Sequence, residues 1–349
     1  MSNRHLALIT ALVVAVGAVA AGIGYVVWPR SSEYADAVGL LPDDILRVTW
    51  TDWDGLRSEL GAEDVPPVGP GADKFLAAVA DRDLGVSSLS SSSEELYDAL
   101  GFSPATSEWE MLGQGREGML IVLELDQDLS AVADKFEALG FSRPSSGAMD
   151  GAVWTGGADA LAVDTGLATP ELQNVAFLED EGLLVGSDSS SYIESAMPVV
   201  KGDDDGLDAE ALTGQVEAPL DAVAFIGDYA CEALSMTQAD ASTQSLADHL
   251  VDQAGGVSPL QGYLVAMEAD RRLSIVFDFE NERQAEDDSR SRRALAGAED
   301  PGQMLAYPDE FTISHTEQDG SSVVLTGKAE PDASSITNLT SGPVLLAGC

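Results

Sequence analysis

Cysteine, histidine and cationic side chains are scarce in this chain. Its 349 residues include two cysteines, three histidines and 17 lysines and arginines, against 60 aspartates and glutamates. The histidines are His5, His249 and His315, and they form no HxxxH, HxH or Cys/His pattern typical of a zinc site. No GxSxG nucleophile elbow is present either. We therefore predict no enzyme, no metal and no cofactor, and we keep a hydrolase as an alternative because a Ser–His–Asp triad is assembled only by the fold.

The net charge of −43 excludes several classes of partner. Proteins bind nucleic acids by neutralising phosphates with cationic side chains, so a chain this acidic is not expected to bind them. Docking of the whole body on an anionic membrane face is disfavoured for the same reason. Such charge keeps a protein soluble through self-repulsion, and it is compatible with a salty environment or with weak binding of divalent cations. Apolar residues at 45% indicate a folded body rather than a disordered one.

A long uncharged run lies near the start of the chain, from Leu6 to Trp28. As a helix this run would reach about 34 Å, enough to cross a hydrocarbon core of about 30 Å. Arg4 on the short head favours a cytoplasmic N-terminus and an exported body. We therefore predict a single-pass protein of the cell membrane with an extracytoplasmic body. The alternative is a signal peptide cleaved near Ala20, after which the body would be secreted.

The two cysteines, Cys231 and Cys349, lie far apart in the sequence. An exported location permits a disulfide between them. Closing so long a loop would stabilise the fold by about 5 kcal/mol on the chain-entropy model. We expect this disulfide, and two unrelated thiols are the alternative.

Hydrophobic periodicity divides the body into two similar series of strands and helices. Residues 118–125 (GMLIVLEL) predict a strand buried on both faces, and residues 129–139 predict a helix with one apolar stripe. Helix stops are predicted at Gly101 and Gly140, where glycine can adopt the left-handed conformation. Residues 262–268 and 273–279 predict a hairpin over Asp270 and Arg271.

These elements predict an α+β fold in which a transmembrane helix precedes two related modules. Each module is expected to be an antiparallel sheet with helices packed on one face. The boundary between them falls at the charged, glycine-flanked segment Lys201 to Gly206 (KGDDDG). The predicted parts are a head and anchor at residues 1–30, a spacer at 31–41, a first module at 42–200, an acidic linker at 201–220 and a second module at 221–349.

Two short motifs suggest ligand sites, and both have a plainer interpretation. Gly113 to Gly118 matches GxGxxG, but it precedes a predicted strand, whereas a dinucleotide site needs the motif to open a helix. Asp203 to Gly206 has some of the acidic positions of an EF-hand loop, but Lys201 stands where another ligand is needed. We interpret the first as an ordinary loop. The second is interpreted as a solvated acidic linker, with weak cation binding as the alternative.

The main concentration of cations lies in the predicted second module. It comprises Arg271, Arg272, Arg283, Arg290, Arg292 and Arg293. Glu286 with Arg290, and Asp288 with Arg292, have the i,i+4 spacing and acid-first order of favourable helical ion pairs. The arginines are therefore either a salt-bridged solvent face or a docking patch for an acidic partner, such as an envelope protein or an anionic polymer.

Several segments resemble those of a known group of proteins. They are Leu41 to Asp44, the Trp50 and Trp53 pair, Ala138 to Phe141, Thr169 to Gln173 and Asp180 to Ser187. Together they are similar to uncharacterised membrane-anchored exported proteins of high-GC Gram-positive bacteria. The resemblance implies the exported compartment and the repeated α+β architecture, and it implies no activity.

The anchor, the folded acidic body and the lack of a His/Cys constellation together favour one function. We predict a membrane-anchored extracytoplasmic protein with a non-enzymatic interaction or binding role in the cell envelope. One alternative is a carrier that holds a lipid or small ligand between sheet and helices. The other is an envelope hydrolase, which requires serine, histidine and aspartate to converge near His249 or His315.

Overall fold

A computed structural model describes residues 32–85, 87–144, 150–156, 161, 167 and 169–349. The predicted anchor, Leu6 to Trp28, and the alternative cleavage site at Ala20 lie outside these residues. Among the helices in the described ranges, none is long and apolar enough to cross a bilayer. Residues 32–349 form a single unit by their contacts.

Within the described ranges, eleven strands form one antiparallel sheet and two more form a small separate ribbon. The strands of the large sheet are β1 (Ile45–Asp52), β2 (Ser107–Gly115), β3 (Met119–Leu125), β4 (Trp154–Thr155), β5 (Asn174–Leu178), β6 (Leu183–Ser187), β7 (Asp221–Ile226), β8 (Gly262–Glu268), β9 (Arg272–Asp278), β12 (Phe311–Asp319) and β13 (Ser322–Ala329). The ribbon consists of β10 (Glu299–Asp300) and β11 (Leu305–Ala306).

The helices lie before, between and after these strands in the chain. They are α1 (Glu33–Val38), α2 (Trp53–Glu59), α3 (Pro70–Ala80), α4 (Ser93–Leu100), α5 (Leu129–Ala138), α6 (Ser190–Val200), α7 (Glu210–Thr213), α8 (Tyr229–Leu234), α9 (Ala241–Ala254), α10 (Glu282–Leu295), α11 (Tyr307–Glu310) and α12 (Ser335–Thr340). Short 3-10 turns occur at Ser90–Ser92, Pro104–Thr106, Pro170–Leu172, Met236–Gln238 and Ala269–Arg271.

Local sequence explains where several helices begin and end. The Asp52 carboxylate accepts a hydrogen bond from the Gly55 amide at 2.7 Å and caps α2. At the C-terminal ends of α4 and α5, Gly101 and Gly140 have φ angles of 83° and 94°. These angles confirm the predicted stops, because a residue with a Cβ is strained in the left-handed region. Phe141 then folds back so that its ring packs 4.8 Å from that of Phe136.

The order of strands in the large sheet repeats. Across the sheet it is β12-β13-β9-β8-β7-β1-β2-β3-β6-β5-β4. From the centre outward the first half runs β1, β2, β3, β6, β5, and the second half runs β7, β8, β9, β13, β12. Each half begins with one strand and its helices, continues with a hairpin and a helix, and ends with a second hairpin. The last strand of the second hairpin pairs with the last strand of the first hairpin, as β6 does with β3 and β13 with β9. β1 and β7 pair with each other, so the two predicted modules share one continuous sheet.

Helices cover both faces of the sheet, whereas the sequence led us to expect them on one face. The strand predicted at 118–125 shows why, because alternate side chains of β3 point to opposite layers. Ile121 and Leu123 pack beneath α4 and α5, while Leu120 and Val122 pack against the layer that contains α1 and α6. A strand that is apolar on both sides needs cover on both sides. The layer that contains α4 and α5 is the larger of the two. It continues over the second half of the sheet with α2, α3, α8, α9, α10 and α12.

Segments predicted as spacer and linker also belong to this structure. Tyr34 of α1 lies within the predicted spacer and is buried in the core, with its ring 5.5 Å from that of Trp50. Leu207 and Leu212, within the predicted acidic linker, are buried in the same core. Asp203 and its acidic neighbours remain exposed. Apolar side chains inside these polar segments therefore attach them to the sheet.

Candidate functional site

The predicted arginine patch does not form one surface. Arg292 is completely buried, and its guanidinium donates to the carbonyl oxygens of Leu346, Gly348 and Ser258 at 2.7, 2.8 and 2.9 Å. Burial lowers the pKa of Arg292 to about 10, and the adjacent Asp288 carboxylate, 3.2 Å away, opposes that shift. Arg292 therefore cannot contact a partner, and it serves to hold the segment around residues 344–349 against α10. The expected i,i+4 pair between Asp288 and Arg292 is present, but inside the fold.

The other arginines are dispersed. Arg272 pairs with Glu268, whose buried carboxylate lies 2.5 Å away. Arg283, Arg290 and Arg293 are exposed at intervals along α10. Arg271, at the tip of the hairpin between β8 and β9, lies in a cavity together with other cations of the described residues. That cavity is the candidate site.

The cavity has a volume of about 300 Å³ and lies between segments that belong to the two halves of the chain. We call it the basic pocket, and it is lined by Glu59, Arg82, Asp270, Arg271, Lys328 and Pro331. Glu59 ends α2 and Arg82 follows α3, so the first half supplies two lining residues. The hairpin tip and the end of β13 supply the other four. Three of the chain's 17 lysines and arginines therefore converge at one place in a very acidic protein.

An unusual backbone turn places Arg271 in the pocket. The three residues Ala269–Arg271 connect β8 to β9, and Asp270 and Arg271 have φ angles of 58° and 60°, a conformation that glycine or asparagine normally provides. The left-handed conformation costs a residue such as arginine about 1 to 2 kcal/mol. The Glu59 carboxylate supports the turn by accepting a hydrogen bond from the Asp270 amide at 3.3 Å. Backbone strain at a pocket is a reason to look for function there.

The charges of the pocket are only partly paired. Glu59 and Arg82 are 3.9 Å apart. The Nη1 atom of Arg271 is buried and has no hydrogen-bond partner among the described residues. Lys328 is exposed, and within the described part of the chain no carboxylate lies within 4 Å of its ammonium. A buried guanidinium nitrogen without an acceptor is energetically costly, so the pocket lacks an acceptor that a ligand could supply.

A second carboxylate-rich place lies deep in the larger helical layer. Thr51 of β1 is flanked in register by Glu110 of β2 and by Asp221 of β7. Glu110 accepts hydrogen bonds from the Ser87 hydroxyl at 2.7 Å, the Ser88 amide at 3.1 Å and Trp53 Nε1 at 3.4 Å.

The Asp221 carboxylate in this row accepts a hydrogen bond from the Gly85 amide at 2.9 Å. Burial raises the pKa of Glu110 to about 7, although its hydrogen-bond donors oppose the shift. Burial likewise raises the pKa of the helix-capping Asp52 to about 6. Glu110 and Asp221 are buried and fasten the chain that follows α3, whereas Asp52 is half-buried and caps α2, so we assign all three a structural role.

The remaining sequence motifs do not form a site. His249 is exposed with Gln253 2.7 Å away, and His315 is exposed with Glu317 3.7 Å away. Neither imidazole joins a serine and an aspartate among the described residues. The glycines from Gly113 to Gly118 end β2 and form the turn into β3, as a loop rather than a helix start. In the described ranges no group of three His, Cys, Asp or Glu side chains is arranged to hold a metal ion.

The disulfide expected between Cys231 and Cys349 is present. It joins α8 to the segment that Arg292 also holds. Sequence reasoning identified Arg271 but missed Arg82, Lys328 and Glu59 as its neighbours. These residues are isolated charges in three distant segments, and no local pattern connects them.

Comparisons with known proteins concern the fold. No protein-family model and no curated protein matches this chain. Crystal form III of TP0453 is similar, with a TM-score of 0.40 and 7% identity over 86% of this chain and 96% of TP0453. Crystal form IV has a TM-score of 0.38 at 7% identity, over 87% and 96% of the two chains. A likeness at this level carries no information about ligand or activity.

Proposed function

We propose that this chain is a non-enzymatic binding protein of the cell envelope, anchored in the membrane by Leu6 to Trp28, with the basic pocket as its recognition site. The observation that carries the proposal is the buried Nη1 atom of Arg271, which has no partner within the described residues. It lies beside two further cations in a cavity of about 300 Å³. That arrangement is suited to holding an anionic group rather than to transferring protons.

The charge of the rest of the molecule supports this assignment. A body with a net charge of −43 repels anions at long range, and salt screens that repulsion beyond about 10 Å. A compact group of cations is then the one type of surface on which an acidic partner can dock. The pocket replaces the broader arginine patch considered from the sequence, because Arg292 is buried and the exposed arginines are dispersed.

The location also remains part of the proposal. The apolar run, the cation on its short head and the resemblance to exported proteins of high-GC Gram-positive bacteria all favour an extracytoplasmic body. The disulfide between Cys231 and Cys349 is consistent with an oxidising compartment. We propose further that the two halves of the sheet are related modules, and their repeated strand order supports this.

The alternatives receive less support. A carrier for a lipid needs a largely apolar cavity, whereas most residues that line the basic pocket are charged. A hydrolase needs a histidine oriented by an acid beside a nucleophile, and His249 and His315 are both exposed and lack such neighbours in the described ranges.

Crosslinking in intact cells tests the proposed function. An amine-reactive reagent is applied to cells that carry the full chain, the Arg271→Ala variant or the Arg283→Ala variant, in which an exposed arginine outside the pocket is changed. We expect an adduct with the full chain and with Arg283→Ala, and loss of that adduct with Arg271→Ala. Protease added to the same cells should digest the body while a cytosolic marker stays intact. Identical adducts in all three chains, or a body protected from protease until lysis, would contradict the proposal.

A further inference from the structure

We infer that the basic pocket binds the phosphate group of a phosphomonoester borne on a hydroxylated carbon chain. This inference rests on the proposed function, since it names the ligand of the same pocket. The juxtaposition that suggests it is a partly buried guanidinium, an exposed ammonium and an exposed carboxylate around one small cavity, supplied by Arg271, Lys328 and Asp270.

The two cations without an ion pair suit an anion that can contact both at once. Glu59 lies 3.9 Å from Arg82, whereas Arg271 and Lys328 have no ion pair among the described residues. The five charged residues of the lining carry a net charge of +1, because Asp270 adds a second carboxylate to that of Glu59. A phosphomonoester has three acceptor oxygens and about two negative charges at neutral pH, so it can pair with the guanidinium and the ammonium together. A simple carboxylate has one charge and two oxygens, and it pairs with the same two donors less completely.

The geometry of the donors also fits a phosphate. A guanidinium presents a planar fork that matches two oxygens of a phosphate, while an ammonium acts as a point charge that a flexible stem can adjust. The turn at Asp270 and Arg271 places the fork at the pocket, where its Nη1 atom is buried.

The carboxylate at the rim indicates what the phosphate is attached to. Asp270 is exposed, and no cation pairs with it in the described part of the chain. A carboxylate accepts hydrogen bonds from hydroxyl groups, as sugars and polyols provide. The cavity of about 300 Å³ lies at the lower limit of ligand pockets, so it has room for one phosphate and a short adjoining group.

Calorimetric titration of the full chain with inorganic phosphate, and separately with acetate, tests the charge requirement. We expect phosphate to bind at pH 7.5 and to bind at least about tenfold more weakly at pH 5, where it is a monoanion. Acetate should bind about tenfold more weakly than phosphate at pH 7.5. Equal affinity for phosphate and acetate, or no change in phosphate affinity between the two pH values, would overturn the inference.

Variants locate the binding. Arg271→Gly keeps the turn, since glycine adopts its backbone conformation without strain, and removes the fork. Lys328→Gln removes the ammonium. Each should weaken phosphate binding about tenfold or more, while Arg283→Ala should leave it unchanged. Phosphate binding that survives both pocket substitutions would place the anion elsewhere and overturn the assignment.

A soluble phosphomonoester and a lipid phosphomonoester are distinguished by testing one in solution and the other in vesicles. Glycerol phosphate in solution represents a soluble or polymer-borne phosphate, and vesicles that contain phosphatidic acid represent a lipid. Binding of either, lost in Arg271→Gly, supports the inference and identifies the source. Binding of inorganic phosphate with neither ester overturns it. If an Arg271-dependent adduct forms in cells while no phosphate compound binds, the proposed function stands and only this ligand is wrong.

Discussion

The two halves of the sheet have the same strand order, but the tips of their corresponding hairpins end differently. In the first half the tip between β2 and β3 carries Arg116, which pairs with Glu232 of α8 at 3.2 Å. In the second half the tip between β8 and β9 carries Arg271, which meets α2 at Glu59 only through the backbone amide of Asp270. Each hairpin therefore reaches the first helix of the other half. The first contact pairs Arg116 with a carboxylate, whereas the second leaves the guanidinium of Arg271 without an ion pair among the described residues.

The means of stabilising the two halves differ as well. The second half has a disulfide and the buried Arg292, both of which hold residues 344–349. The first half has no disulfide, and it buries the carboxylate of Glu110 among neutral hydrogen-bond donors. Related topology therefore does not impose related polar interactions. Four sets of variants, in order of decreasing expected effect, test this difference between the polar interactions of the two halves.

Removal of the disulfide should weaken the second half most. Cys231→Ser with Cys349→Ser opens a bond that spans 118 positions, and the chain-entropy model predicts a loss of about 5 kcal/mol. Denaturant unfolding measures the loss, and hydrogen exchange should show deprotection centred on α8 and residues 344–349. The wild-type chain under reducing conditions is the control, and it should lose the same stability as the double variant. An unchanged unfolding midpoint, or loss of hydrogen-exchange protection centred on the first half, would show that the disulfide does not stabilise the second half in particular.

Loss of the buried guanidinium should have the next largest effect. Arg292→Met leaves Asp288 and several carbonyl oxygens without their partner, which costs about 4 kcal/mol for a buried pair. The neighbouring Arg293→Met is the matched control, because Arg293 is exposed on the same helix and should change stability by less than about 0.5 kcal/mol. Similar midpoints for the two variants would show that burial of Arg292 contributes little.

Glu110 should make the stability of the fold depend on pH. Its pKa in the folded protein is about 7, above the ordinary value of 4.5, so the folded state binds the proton more tightly than the unfolded state. The contribution of Glu110 to stability is therefore greatest below pH 4.5 and falls as the pH rises through 7, by about 3 kcal/mol in total.

Glu110→Gln, which cannot ionise, should remove the contribution of Glu110 to this slope, most visibly between about pH 6 and 8, and be more stable than the wild type at pH 8. Asp52, whose pKa is raised to about 6, leaves a slope of comparable size in the same direction at lower pH. Glu94→Gln, at an exposed position of α4, is the control and should keep the wild-type slope. Parallel pH profiles for wild type and Glu110→Gln would show that Glu110 is not the titrating group.

The smallest effect separates the two hairpin tips directly. Arg271→Gly relieves the left-handed backbone and should raise stability by about 0.5 to 1 kcal/mol, after the entropy of glycine in the unfolded chain is subtracted. Arg116→Gly breaks an exposed ion pair at a residue without positive φ and should lower stability by less than about 1 kcal/mol. Thermal unfolding measures both signs. A loss of stability in both variants would show that the turn at Arg271 stores no strain.

Sequence periodicity predicted much of the local structure because the forces concerned act over a few residues. The apolar run at 118–125 is a strand buried on both sides, and Gly101 and Gly140 end helices as expected. The hairpin over Asp270 and Arg271 also forms. The disulfide between Cys231 and Cys349 followed from having only two cysteines in a chain expected to be exported.

What the sequence by itself determined, then, is the α+β class, several individual strands, helix ends and hairpins, and the acidic character of the body, because each depends on composition or on neighbours within a helical turn or a strand. Only the tertiary structure decided that helices cover both faces, that Arg292 is buried while Arg293 is exposed, and that Arg82 and Lys328 join Arg271 in one pocket. The physical reason is distance along the chain. Burial and charge pairing depend on side chains that β-sheet pairing brings together from segments far apart in sequence, and no local pattern records which segments will meet.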